Sequence, residues 1–109
     1  MEIQQKTIQA GGIKFFVEQD GKEVARAFLY ILKNGLHDEP FGFMEDVFVE
    51  EAYRSQGLGK ELVKRLITAA KENGCYKILG TSRHERPRVH AMYEKLGFKN
   101  QGAEFRIDF

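Results

Sequence analysis

The run Arg54-Ser55-Gln56-Gly57-Leu58-Gly59-Lys60 combines two cations with two glycines at the point where apolar residues begin to recur at helical spacing. A helix start leaves backbone N–H groups unpaired and carries a partial positive charge, so it is a ready anion site. Glycines remove the side chains that would hold a pyrophosphate away from those N–H groups, and Arg54 and Lys60 add full charges. Phosphate binding is the chemistry this pattern supports. Two better-known phosphate loops are excluded by spacing. A Walker A loop needs glycine where Arg54 stands and serine or threonine where Glu61 stands; a dinucleotide fingerprint needs a small residue at Leu62.

Other residues could also do chemistry. Glu45 and Asp46 interrupt an otherwise apolar run from Phe43 to Val49 and require a reason to be there. Arg83, His84, Arg86 and Arg88 crowd the start of a second helix, where cations are unfavourable unless an anion sits among them. The single cysteine, Cys75, and the scattered His37, His84 and His90 have no zinc-ligand spacing, so no metal is expected.

These residues must be positioned by a small scaffold. A chain of 109 residues is read as one domain over residues 1–109, able to bury about 60–70% of its unfolded surface. The hydrophobic fraction of 42% and charged fraction of 30% are those of a globular protein rather than a disordered one. No run approaches the about 20 apolar residues of a membrane span, and the N-terminus lacks a secretory pattern. A cytoplasmic location and no membrane partner are expected. Net charge of +1 with interleaved signs gives no global field for nucleic acid, so anion recognition must be local.

Residues 13–19 and 24–32 read as strands joined by an Asp20-Gly21 hairpin turn. Ile3 to Ile8 reads as a strand before them, and Phe43 to Val49 as one after. Leu58, Leu62, Val63, Leu66, Ile67 and Ala70 then mark one face of a long helix that Asn73-Gly74 ends. Tyr76 to Leu79 reads as a short buried strand. Pro87, Val89, Met92, Tyr93 and Leu96 mark a second helix stopped by Gly97. Phe98 and the Phe105–Phe109 alternation read as one or two closing strands. The order implies an α/β fold, a sheet with two main helices packed on it.

Val47-Phe48-Val49 followed by Arg54-Ser55-Gln56-Gly57-Leu58-Gly59, and later Tyr93-Glu94-Lys95-Leu96-Gly97-Phe98, resemble the signature elements of the GNAT superfamily of N-acetyltransferases, over about residues 41–100. Met44 to Val49 and Cys75 to Ile78 look like glucosamine-6-phosphate N-acetyltransferases, whereas His84 to Tyr93 is similar to aminoalkylphosphonate acetyltransferases. The resemblance implies a mixed, mostly antiparallel sheet, lacking the usual N-terminal helices, in which the strand ending at Val49 splays from the next. It implies acetyl-CoA as cosubstrate: pantetheine against the backbone of Val47, Phe48 and Val49, and pyrophosphate on Arg54, Ser55, Gln56, Gly57, Leu58, Gly59 and Lys60. The family often places Asn seven residues before its tyrosine, in contact with CoA; Arg86 holds that position here and is the expected contact.

An alkylammonium with a pKa near about 10 must lose a proton before it can react. Glu45 or Asp46 is the expected base, directly or through water. Adjacent strand residues face opposite sides, which favours one of them, Glu45; His84 is an alternative. The resemblance matches Tyr93 to the family's general-acid tyrosine. Nothing lowers the Cys75 pKa, so direct transfer in a ternary complex is expected over an acetyl-cysteine. The acceptor is expected to be a small primary amine, such as an amino sugar phosphate, an aminophosphonate or a polyamine. A protein amine, or a CoA-binding domain without catalysis, is the competing reading. Members of the superfamily commonly place one or two helices between their first two strands, whereas Ile8 to Ile13 leaves room only for a turn; the resemblance therefore implies that apolar residues among Phe15, Phe28, Tyr30, Phe41 and Phe43 would be bare in a monomer, and a homodimer is expected, with a shallow site open to a large acceptor as the rival reading.

Overall fold

The Asp20-Gly21 turn starts the sheet. In the computed structural model, which describes residues 1–109, both residues take positive φ, 53° and 78°. That is the handedness a two-residue turn needs to match the twist of its strands. Strand β1 (Gly11–Gln19) thereby folds back on β2 (Lys22–Leu32), with Ile13 opposite Leu29 and Phe15 opposite Ala27. β3 (Phe41–Val49) returns antiparallel to β2, with Met44 opposite Leu29. A short 3-10 turn (Glu51–Tyr53) leads into α1 (Leu58–Glu72), which crosses back to β4 (Ile78–Gly80), and α2 (Pro87–Lys95) follows. β4 pairs parallel to β3, giving the sheet order β1-β2-β3-β4. The architecture is the α/β sheet with two helices read from the residues, in the mixed, mostly antiparallel form that the family resemblance implied.

One sheet face is built small where the helix must approach. α1 buries Leu62, Val63, Leu66, Ala69 and Ala70, the spacing of a single helical face, against Ala25, Ala27, Leu29 and Met44. A Cβ on Gly42 would lie 2.9 Å from Leu29 Cδ1, so glycine there permits the close fit. The helix stops at Asn73, whose Nδ2 donates to the Ala69 carbonyl at 2.8 Å, and Gly74 turns the chain with φ 74°.

The other face holds Phe16, Phe28, Tyr30, Phe43 and Phe48. Phe28 and Tyr30 stack with centroids 6.1 Å apart, and Lys14 Nζ lies 5.4 Å from the Phe16 ring. Phe16, Tyr30, Phe48 and Leu79 remain between 38% and 52% exposed. Phe15, grouped above with this face, instead packs against the core beneath α1.

Three expected strands differ. Ile3–Ile8 and Phe105–Phe109 are exposed and form none. Alternation gives a segment two faces, but a strand also needs a neighbour's hydrogen bonds, and neither segment pairs with the sheet. The radius of gyration is 15.9 Å, above the about 13 Å of a compact chain of this size. β4 is Ile78–Gly80 rather than Tyr76–Leu79. Tyr76 N–H donates instead to the Pro40 carbonyl, outside the β3–β4 ladder.

Leu66 is wholly buried between α1 and the sheet. Leu66→Ala is expected to lower unfolding free energy by about 2–5 kcal/mol, measured by urea denaturation. A loss under about 0.5 kcal/mol, the scale of a surface change, would show that this face of α1 is not the core.

Candidate active site

β3 and β4 pair at three positions only, Gly42 with Ile78, Phe43 with Leu79 and Met44 with Gly80. β3 then continues to Val49 without a partner on that side, so the two strands part as the family resemblance implied. A bulge lies at the divergence. Glu45 is opposite Phe28 and Phe48 is opposite Arg26, so β3 carries one more residue than β2 across that interval. Asp46 takes φ 51°, a left-handed conformation that Asp tolerates better than most residues. Its carboxylate accepts from Arg26 Nε at 2.7 Å and Nη2 at 3.4 Å.

The bulge corrects the simple alternation expected for Glu45 and Asp46. Glu45 shares the open face with Phe43, Arg26 draws Asp46 into an ion pair, and Val47 and Val49 turn toward the core. No ion pair or side-chain hydrogen bond engages Glu45. Phe48 points away from the helices, its ring 4.6 Å from the Arg26 guanidinium carbon.

Beyond Val49 the chain is tied back at both ends of the turn. Glu50 N–H donates to the Val24 carbonyl at 2.8 Å, and Arg54 Nε donates to the Val49 carbonyl at 2.8 Å. Ser55 and Gly57 both take positive φ, 70° and 80°, which swings the chain onto the axis of α1. Gly57 caps the helix without any side-chain hydrogen bond, so the first N–H groups have no protein partner from a cap. A Cβ on Gly59 would lie 3.7 Å from Val49 Cγ2; a larger side chain would grow into the space before the loop.

That space is a cavity of about 390 Å³. It is bounded by Val49, Tyr53, Arg54, Ser55, Gly57, Leu58, Gly59 and Lys60, and closed by Arg88, Val89 and Met92 of α2. Most of the loop therefore converges as expected, but Gln56, Val47, Phe48, Glu45, Arg86 and Tyr93 are not on its wall. Tyr53, Val89 and Met92 had no binding role in the sequence reading. An aromatic directly before the phosphate loop was the available clue for Tyr53; Val89 and Met92 looked like core residues because they share α2's apolar face.

α2 begins at Pro87, with Arg86 as an N-cap that makes no side-chain hydrogen bond. His90 Nε2 donates to the Arg83 carbonyl at 2.8 Å, which anchors the basic turn, while His84 is exposed. Tyr93 is half-buried and its ring lies 5.4 Å from that of Phe98. Burial pushes its phenol above the ordinary 10.0, opposed by the positive charge of Arg86; the hydroxyl therefore keeps its proton at neutral pH. Burial likewise pushes the Cys75 thiol up, away from the thiolate a nucleophile needs. No group of three His, Cys, Asp or Glu side chains comes together.

The site thus joins a bulged strand that parts from its parallel neighbour to an uncapped, glycine-rich helix start. The Acetyltransferase (GNAT) family profile matches residues 2–98. The chain belongs to the GNAT family of acetyltransferases. This GNAT chain is 43% identical over 68 residues to a glucosamine 6-phosphate N-acetyltransferase of Trypanosoma brucei brucei, covering 62% of the chain and 44% of the relative. It is 28% identical over 102 residues to an aminoglycoside N(6')-acetyltransferase type 1 of Stenotrophomonas maltophilia, covering 90% and 67%. The crystal structure of glucosamine-6-phosphate N-acetyltransferase from Arabidopsis thaliana superposes with a TM-score of 0.80 at 30% identity, covering 90% of this chain and 67% of that one. The match spans between 39% and 44% of the length of the first three curated relatives.

Proposed function

We propose that this GNAT domain transfers acetyl from acetyl-CoA directly to a small primary amine held in the same complex. The observation that carries this reading is the uncapped start of α1, where Arg54, Gly57, Gly59 and Lys60 meet at the cavity wall. A pyrophosphate fits this cradle: the N–H groups are free, the glycines leave room, and no carboxylate lines the cavity. The unpaired edge of β3 from Val47 to Val49 offers backbone groups to an extended amide chain such as pantetheine, in the manner of an added strand. When bound, acetyl-CoA supplies an activated acetyl thioester.

The chain's own residues would manage the protons. Glu45 is the preferred base because Asp46 is already engaged by Arg26, and a carboxylate without a partner is free to take a proton from the amine, directly or through water. His84 stands on an exposed turn before α2 and is the weaker candidate. Tyr93 holds its proton on Oη throughout the neutral range and is the group on α2 suited to donate it. The raised Cys75 thiol argues for direct transfer rather than an acetyl-cysteine.

An amino sugar phosphate is the favoured acceptor class, supported by the likeness to the glucosamine 6-phosphate enzymes. The test is acetyl-CoA consumption against a panel of amino sugar phosphates, aminoglycosides, aminophosphonates and polyamines, with mass analysis of the product. A gain of one acetyl group on an amine supports the reading; no turnover with any amine contradicts it. In the same assay Tyr93→Phe, which keeps the ring's packing, is expected to lower kcat by roughly 100-fold while acetyl-CoA affinity is retained. Normal turnover would leave Tyr93 as a packing residue only.

The working unit is proposed to be a homodimer. Phe28, Tyr30, Phe43 and Phe48 form an open apolar face on the same side of the sheet as Glu45, and a second copy covering it would complete the acceptor side. Light scattering across a dilution series is expected to give twice the monomer mass at working concentrations. A monomer throughout, fully active on a small amine, would refute the dimer.

A further inference from the structure

Two charged side chains stand without an ion partner on the β3–β4 half of the open sheet face, Glu45 and Lys77. Phe41, Phe43 and Glu45 alternate with buried Gly42 and Met44, so the three share this face. Phe43 pairs with Leu79 across the β3–β4 ladder. Lys77 comes two residues before that rung. Its carbonyl accepts from Gly42 N–H at 2.9 Å, and its Nζ lies 5.3 Å from the ring centroids of both Phe41 and Tyr76. Tyr76 is steadied in turn by His37, whose ring centroid is 4.3 Å away.

The two charges mark opposite ends of one strip. Four residues of β3 separate Phe41, beside Lys77, from Glu45, which is about 13 Å at the rise of a strand. Between them Phe43 and Leu79 offer an apolar floor, and Leu79 is 42% exposed. The sheet parts only past Met44, so the Glu45 end of the strip meets the gap while the Lys77 end lies over paired strands. Pantetheine against Val47 to Val49 would approach Glu45 from one side, which leaves the acceptor the strip that runs back toward Lys77. Allowing about 3 Å for a charged hydrogen bond at each end leaves about 7 Å between the ammonium and the anion of a molecule that bridges the two.

We infer that the Glu45–Lys77 strip is the acceptor subsite and selects a zwitterionic amine, with its ammonium at Glu45, its ring over Phe43 and Leu79, and its phosphate at Lys77. The inference rests on the acetyl-transfer reading above and adds Lys77 as the residue that sets specificity. A hexosamine phosphate carries its amine and phosphate on opposite sides of a ring and spans this distance, whereas a two-carbon aminophosphonate is too short. A polyamine or an aminoglycoside would bring a further ammonium against Lys77, where like charges repel. A second copy over this face would close the strip from above. Lys77 is exposed, so its replacement leaves the core and the glycine-rich loop intact.

Initial rates at saturating acetyl-CoA compare a hexosamine phosphate, the same hexosamine without phosphate, and an aminoglycoside. The wild-type domain is expected to show a kcat/KM at least about tenfold higher for the phosphorylated sugar than for the bare one. Lys77→Gln should raise the KM of the phosphorylated sugar by about tenfold while the KM of the bare sugar holds, and Lys77→Arg should restore the difference. Lys77→Glu should move the preference toward the aminoglycoside. A wild type that prefers an acceptor without phosphate, or a Lys77→Gln variant with an undiminished preference, overturns the inference while the acetyl-transfer reading stands. If no amine is acetylated, that reading fails and this inference falls with it.

Discussion

Along one side β3 pairs with β2 through a bulge, and along the other it pairs with β4 only as far as Met44. This mismatch opens the sheet from Glu45 onward, and the candidate site is built around the gap. The extra residue at Asp46 increases local twist and bends the strand, so divergence is written into the backbone rather than imposed by the helices. The Arg26–Asp46 ion pair sits over the bulge at partial exposure, where solvent screens such a pair; the ladder continues on either side. Val49 ends the opened edge with its carbonyl accepting from Arg54. That bond couples the strand end to the loop and sets the glycine-rich turn beside the gap.

The two helices contribute differently. α1 buries five residues against the sheet, whereas α2 has none that is fully buried and rests on half-buried Met92 and Tyr93, with Leu96 and Phe98 just beyond its end. One cavity wall is thus part of the core and the other is held by fewer apolar contacts. Local opening should cost less at α2 than at α1.

Much of this was legible in the sequence because the cues were local. Asp20-Gly21 fixed the hairpin through two positive-φ positions, and Leu62, Val63, Leu66 and Ala70 gave α1 by period alone. Gly57 and Gly59 identified the loop by what they lack. The bulge was not legible: Glu45-Asp46 shows two carboxylates, but which residue leaves the alternation depends on the register with Phe28 and Arg26, a long-range fact. Ile3–Ile8 and Phe105–Phe109 show the converse failure, since their alternation says nothing about whether an edge will receive them.

The central claim is that the uncapped backbone at the start of α1 is the anion cradle. The most direct measurement is an amide chemical-shift titration of the ¹⁵N-labelled domain with CoA. The account predicts that the largest perturbations fall on the N–H groups of Gly57, Leu58, Gly59 and Lys60 at the uncapped helix start, because a pyrophosphate replaces water as their hydrogen-bond acceptor. Saturable CoA binding that leaves those four amides unmoved would contradict it.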